Sequence, residues 1–164
     1  MNSLDVIKQI LDEEMGMPAG RVWAYNANVD LPKDKDLFIV LSYMSRKPYS
    51  NNVRYKGDVE NLKEVQTMNV CEEIIISLLS QNTQARDRAY EVQMALGSTY
   101  SQQVQEQNKM HISRLGDVYD VSFVEATSRL NRFDVRCRVI RSYSKIKDID
   151  YYNQYSVKQY LFDK

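Results

Sequence analysis

The feature that most constrains this chain is a regular alternation of apolar and charged residues between Asn131 and Tyr143. The apolar members are Phe133, Val135, Cys137 and Val139, and the charged members are Arg132, Asp134, Arg136 and Arg138. Successive side chains of a strand point to opposite faces. This spacing therefore predicts a strand with one face in a core and the other in water. Such strands are typical of antiparallel sheets.

Other apolar runs predict more strands. β-branched and aromatic residues favour long strands over 37–44 and 65–79, with Glu72 as the one polar break on the apolar face of the second. Shorter strands are expected over 21–27, 111–115 and 118–123, with a turn at Gly116 between the last two. The polar segment 45–64 is interpreted as an extended hairpin tip, because Val53 and Tyr55 alternate within it.

Two segments have helical spacing. Ser3 can cap a first helix, whose apolar residues Leu4, Ile7, Ile10 and Leu11 fall on one face and which ends before Gly16. A central helix is expected over 84–96, with small residues on its buried stripe, and a polar helical turn over 101–109.

The order helix, strands, helix, strands predicts an α+β fold. We expect a mainly antiparallel sheet with an N-terminal helix and a central helix packed on one face. A chain of 164 residues fits one domain. We assign residues 1–150 to a single α+β domain and residues 151–164 to an aromatic C-terminal arm.

Charge and composition exclude some classes of protein. The chain has 22 basic and 22 acidic residues, so its net charge gives no long-range attraction to nucleic acid or to an anionic membrane. No apolar run is long enough to cross a bilayer, and Met1 to Glu14 carries acids where a signal peptide would be basic. We expect a cytoplasmic protein with Cys71 and Cys137 as free thiols.

The sequence offers little for catalysis. His111 is the only histidine, no nucleophile elbow or glycine-rich phosphate loop is present, and the two cysteines are far apart. The spaced acids Asp34/Asp36 and Asp148/Asp150 fall in charged turns, where solvated carboxylates are common. The prediction is a protein that is not an enzyme and has no catalytic residues, metal site or cofactor.

Two charged segments are candidate interfaces. Basic residues cluster from residue 129 to 147, and Arg132, Arg136 and Arg138 share one strand face, with Arg141 close by. They form either a stripe for phosphate or an acidic protein, or a solvated face balanced by acids on a neighbouring strand. Asp12, Glu13 and Glu14 lie at a helix C-terminus, where the dipole disfavours acids. These acids are either well solvated or met by a basic partner.

The C-terminal arm is the third candidate interface, because tyrosine is enriched in interfaces. Its interface candidates are Tyr155, Tyr160 and Phe162. The alternative is that the arm packs on its own domain.

From Ala85 onward the layout resembles the neck or tail-terminator family of tailed bacteriophages. The matching parts are a small-residue helix (ARDRAYEVQMALGS), a polar helical turn (SQQVQEQN), a strand with a glycine turn (HISRLGDVYDVS) and the segment that leads into the alternating strand (EATSRLNRFDVRCRVI). The N-terminal helix and the LFIVLSYM strand are also consistent with this family. The tail past Asp150 and the 45–64 segment have no counterpart in the pattern.

The resemblance implies a structural virion protein that forms a homo-oligomeric ring, commonly a hexamer, in the tail-neck region. Such a ring stops polymerisation of the tail tube protein and offers a surface to the head connector. It is assembled in the host cytoplasm, and DNA passes through its lumen without sequence-specific binding. The alternatives are another head-tail joining or tail-tube-associated protein, or a nucleic-acid-binding module that uses the arginine strand.

Overall fold

The computed structural model describes residues 2–25, 34–57, 62–125 and 128–149. The elements in chain order are α1 (Ser3–Glu14), β1 (Val22–Ala24), β2 (Phe38–Lys56), β3 (Lys63–Ser80), α2 (Gln84–Asp87), α3 (Ala89–Leu96), α4 (Thr99–Gln107), β4 (Met110–Asp120), β5 (Phe123–Glu125) and β6 (Ser128–Asp148). The C-terminal arm, with Tyr155, Tyr160 and Phe162, lies outside the described residues.

The strands form one sheet in the order β1-β2-β3-β6-β4, and β5 pairs with the start of β6. The ladders among β2, β3, β6 and β4 are antiparallel, as predicted. β1 runs parallel to β2, so the sheet is mixed. Parallel strands need a long connection between them, and the thirteen residues between Ala24 and Phe38 are enough for one between β1 and β2. The α+β class is confirmed.

The alternation in β6 places its two sets of residues on opposite faces of the sheet. Val135, Cys137 and Val139 are buried on the face that α1, α3 and α4 cover, which we call the helix face. Phe133 packs against this core but is only partly buried, because it lies near the start of β6. The opposite side, which carries Arg132, Asp134, Arg136 and Arg138, is called the outer face.

α1 begins one residue earlier than its sequence predicts. Asn2 is the cap: its side chain accepts a hydrogen bond from the Asp5 backbone N–H at 2.8 Å, and the Asp5 carboxylate accepts one from the Asn2 N–H at 3.2 Å. This reciprocal pair satisfies two backbone donors at the helix start. Ser3 is thereby released from capping and points inward, fully buried. The apolar stripe predicted for this helix is confirmed by the burial of Ile7, Ile10 and Leu11.

The central helix predicted over 84–96 is divided in two. The backbone leaves helical geometry at Arg88, which separates α2 from α3. The Arg88 guanidinium donates to the Met15 carbonyl at 2.6 Å and pairs with Glu91, so the break connects this segment to the end of α1. The small residues Ala85 and Ala89 are buried, as their spacing predicts.

The glycine turn predicted between two strands after residue 110 is instead a bulge inside β4. The register shifts between Arg114 and Val118, and Gly116 has a φ of 76°. Glycine reaches this left-handed conformation without strain, so the strand can bend and continue its pairing with β6.

The polar segment 45–64 forms the outer half of a long hairpin. β2 and β3 stay paired out to Lys56 and Lys63, and β6 joins β3 as far as Asp148. We call the three-stranded part made by residues 46–56, 63–72 and 139–148 the strand extension. Two register shifts in β2 leave Met44 and Tyr49 exposed. The predicted hairpin is confirmed, and its tip at residues 58–61 lies outside the described part.

Core truncations should follow this burial pattern. Ile76→Ala removes a fully buried side chain of β3 and should lower the free energy of unfolding by about 2–5 kcal/mol. Phe133→Ala should cost less than the about 3–5 kcal/mol typical of a buried Phe, because one side of Phe133 already contacts water. Urea denaturation measures both. A larger loss at Phe133 than at Ile76 would contradict the described packing.

The two cysteines should differ in reactivity. Cys137 faces the core and burial raises the pKa of its thiol to about 12, while Cys71 is half-buried on the outer face. Because the thiolate is the reactive form, a disulfide reagent at pH 8 should modify Cys71 and leave Cys137 unmodified until the chain unfolds. Mass spectrometry of the labelled peptides checks this. Equal labelling of both in the folded protein would show that the register is wrong.

Candidate assembly surfaces

The predicted arginine stripe lies on the outer face, and acids neutralise much of it. Arg132 binds Asp134 through two hydrogen bonds of 2.9 and 3.0 Å and also donates to Ser77. Arg138 donates to Glu73 of the neighbouring strand β3 at 3.3 Å. The Ser45 hydroxyl and Arg138 together lower the pKa of the Glu73 carboxyl. Two of the three predicted stripe residues therefore have acid partners, which favours the balanced-face interpretation.

The other two arginines differ from these. Arg136 stacks on the Tyr119 ring at 4.8 Å, and it makes no ion pair among the described residues. Arg141 lies on the helix face, because it is three positions, an odd number, after Arg138 along the strand. It donates to the Ser3 hydroxyl at 3.4 Å and stacks on Tyr143 at 4.8 Å. The sequence cluster is therefore split between two faces.

An apolar cleft of about 510 Å³ lies on the outer face at the end away from the strand extension. The Trp23 and Phe38 rings stack at 5.5 Å with 4° between their planes and form one wall. Its other apolar residues are Val40, Leu79 and Leu130, all half-buried, and Arg132 lies at the rim. Half-buried apolar residues gathered on a face that the described helices leave uncovered make this cleft a candidate binding surface. The sequence did not reveal this cleft, because its residues come from four separate strands.

Glu72 forms a buried polar cluster where α1 meets the sheet. The carboxylate is fully buried and accepts hydrogen bonds from the Ser3 hydroxyl, the Arg46 guanidinium at 3.0 Å and the Tyr143 hydroxyl at 3.2 Å. It faces the positive end of the α1 dipole. In the sequence, this cluster is indicated only by Glu72 itself, the one acid on the apolar face of β3. Its partners were not predictable, since they come from elements far apart in sequence.

The acids at the end of α1 do not act as one group. Asp12 pairs with Lys8 one helical turn earlier, so it has a partner within its own helix. Glu13 and Glu14 are exposed. A surface for a basic partner is therefore limited to these two side chains.

Exposed apolar side chains occur on α3 and on the strand extension. Tyr90 and Met94 are 66% and 70% exposed and lie one turn apart on α3. The strand extension exposes a larger set, which comprises Tyr49, Val53, Tyr55, Met68, Tyr143 and Ile146. Sheet surface of this kind, exposed in a single subunit, is suited to burial in an assembly.

The groups considered for catalysis remain separate. His111 is exposed on β4 beside Ile140, and Arg21 binds Asp34 and lowers the pKa of that carboxyl. Asp148 is exposed next to Lys63, and Asp150 lies outside the described residues. Within the described residues, no three His, Cys, Asp or Glu side chains gather as metal ligands. No helix in that part of the chain has the length and apolar character to cross a membrane.

A mixed sheet with helices on one face, apolar residues on the other and a long strand extension defines an α+β assembly protein. A family model described as phage neck terminator protein matches residues 3–161. The chain belongs to this family, and its role is that of a structural protein at the phage head-tail junction. The match also covers the 45–64 segment and most of the C-terminal arm. Among curated proteins, none matches the chain.

The Glu72 cluster generates a paired test. Glu72→Gln keeps an oxygen for Arg46 and Tyr143 but removes the charge that Arg46 pairs with and puts an NH2 where the carboxylate accepted from Ser3, so unfolding free energy should fall by about 1–3 kcal/mol. Glu73→Gln, the next residue on the opposite face, is the matched control and should cost less, because its ion pair is partly exposed to solvent. Chemical denaturation compares the two. Equal losses would mean that the Glu72 contacts do not stabilise the fold.

Proposed function

We propose that this chain is the subunit of a ring that caps the tail tube and joins it to the head connector. The family match over residues 3–161 carries the proposal. The surfaces of the subunit support it, because a closed ring needs two different complementary patches on each copy. The apolar cleft on the outer face and the exposed strand extension are two such patches, at opposite ends of one sheet.

The predicted interface residues take different parts in this proposal. Arg136, Arg132 and Arg138 lie on the outer face and contribute to the contact that this face makes. Arg141 supports the junction between α1 and the sheet through Ser3, and so acts inside the subunit. Glu13 and Glu14 are the exposed acids of α1 that meet a basic surface, and Asp12 holds Lys8 beside them.

The aromatic residues Tyr155, Tyr160 and Phe162 contribute area to contacts between copies. Tyrosine gives a large contact surface for a small loss of conformational freedom.

The partners follow from the position in the particle. A ring at the head-proximal end of the tail contacts its sister copies, the tail tube protein below and the connector above. From the sequence resemblance we expect the ring to be a hexamer. DNA passes through the lumen without sequence-specific binding. The protein works by shape and contact, with no catalysis, and is assembled into the virion in the host cytoplasm.

Copy number and tail length test the proposal together. Quantitative mass spectrometry of purified virions should give about six copies per particle. Phage that lack the protein should produce tail tubes of uncontrolled length that do not join heads, as electron microscopy would show. Supplying the wild-type chain in trans should restore both tail length and joining.

Two outcomes would reject the ring. Many tens of copies spread along the tail would indicate a tube component. Tight binding of the purified chain to duplex DNA, falling steeply with salt, would instead support the nucleic-acid-binding alternative. The ion pairs of Arg132 and Arg138 lead us to expect no such binding.

A further inference from the structure

We propose that the C-terminal arm of one subunit docks in the apolar cleft on the outer face of the next subunit. The inference rests on the proposed ring and deepens it, because it assigns the two halves of one contact between copies. It commits to a second copy of this chain as the occupant. Both halves are present in each subunit: the cleft lies at one end of the sheet, and the arm follows the end of β6 at the other.

The lining of the cleft is suited to binding aromatic side chains. Its wall is the stacked pair of Trp23 and Phe38, and Leu79 and Leu130 extend the apolar surface. Ser42 and Ser77 lie among these residues and supply hydroxyl groups. An aromatic anchor that fills such a pocket typically dominates the energy of a protein interface.

The arm has the matching chemistry. Its fourteen residues include four tyrosines and one phenylalanine, together with Val157 and Leu161. A tyrosine ring buries apolar area while its hydroxyl needs a hydrogen-bond partner, and the cleft offers both kinds of surface. The arm carries two Lys side chains and one Asp, so its net side-chain charge is only +1, and the rim of the cleft holds the charge-balanced Arg132–Asp134 pair.

Chain length argues for a neighbour. β6 runs past the cleft at Arg132 and ends sixteen residues later at Asp148. At about 3.4 Å per residue this separation is about 54 Å. A fully extended chain from Ile149 to Phe162 spans at most about 47 Å, and to Tyr155 about 22 Å. The wall of the cleft at Leu79, opposite Arg132, is therefore beyond a fully extended arm of the same subunit, and Tyr155 reaches no part of the cleft. Only the near edge at Ser42, level with Arg136 and about 41 Å from Asp148, lies within the span to Phe162.

The same geometry suits a ring. The arm leaves from one end of the sheet, and the cleft lies at the other end, so the contact is heterologous. Each copy gives one arm and receives one. A closed ring then leaves no cleft empty and no arm unused, which limits further growth.

Disulfide trapping in the full-length chain tests the contact. The background variant Cys71→Ser removes the half-buried native thiol, and Cys137 stays buried. Ser42→Cys places a thiol in the cleft with little change in size, and Gln159→Cys places one beside Tyr160 without removing an aromatic residue. Mild oxidation should give a ladder of covalent oligomers on a non-reducing gel. Mixing two chains that each carry only one of the introduced cysteines should give dimers that contain one of each.

A matched control locates the contact. In the control variant the cleft cysteine is absent, and Gln102→Cys instead puts a thiol on the exposed surface of α4, in the helix layer. This variant with Gln159→Cys should give at least tenfold less cross-linked product. Equal cross-linking of both variants, no cross-linking at all, or a single internally bridged monomer would each overturn the proposal.

A second measurement uses the only tryptophan of the chain. Trp23 lines the cleft, so replacing Tyr155, Tyr160 and Phe162 together by Ser should raise acrylamide quenching of its fluorescence about twofold or more. The same triple change should weaken self-association, so that the protein concentration at which half of the chains are associated rises at least tenfold. Circular dichroism confirms that the variant is folded. Unchanged quenching and unchanged association would count against docking.

The outcomes separate this inference from the proposed function. If trapping fails while virions still contain about six copies and normal tails, the docking is wrong and the ring stands. If trapping succeeds but particles lacking the protein still have joined tails of normal length, then the copies associate as inferred and the proposed function fails.

Discussion

The structure depends on the pairing of β3 with a neighbour on each side along nearly its whole length. β2 pairs with it from Phe38 to Lys56, and β6 pairs with it from Asn131 to Asp148 without a register shift. A slip of one residue would move every side chain to the opposite face. The continuous β3–β6 ladder therefore fixes which residues form the core and which remain outside. The helices can pack only where this ladder presents an apolar face.

Glu72 lies where the covered part of the sheet becomes the strand extension. Its partners come from the start of α1, from β2 and from the far part of β6. A buried carboxylate is costly without hydrogen bonds, so α1 is held with Ser3 against the sheet when the cluster forms. Arg141 adds a contact to Ser3 from the same side. This cluster therefore connects the helix layer to the base of the strand extension.

The architecture leaves each subunit with surface that suits association. Helices cover one face of the sheet at one end, while the strand extension continues past them with exposed tyrosine and aliphatic side chains. The outer face carries stacked rings beside neutralised arginines. Zero net charge adds little repulsion between copies. These properties agree with a member of a phage neck family, whose work is to hold neighbours in place.

The sequence by itself determined the alternation in β6, the amphipathic face of α1 and the hairpin of β2 and β3. Each depends on a period of two or about 3.6 residues that is visible in a short window. It also located Glu72 as an exception within an apolar strand. The bulge at Gly116 and the break at Arg88 were not predictable, because each is decided by contacts with a distant element.

The tertiary structure alone decided which charges are balanced and where the cleft lies. Arg138 meets Glu73 only because β3 pairs with β6 in one register. Trp23, Phe38, Leu79 and Leu130 lie far apart in the chain and meet when four strands align. Local spacing shows the direction of a side chain along one strand. Its neighbours across the sheet are set by long-range pairing, which no short window of sequence contains.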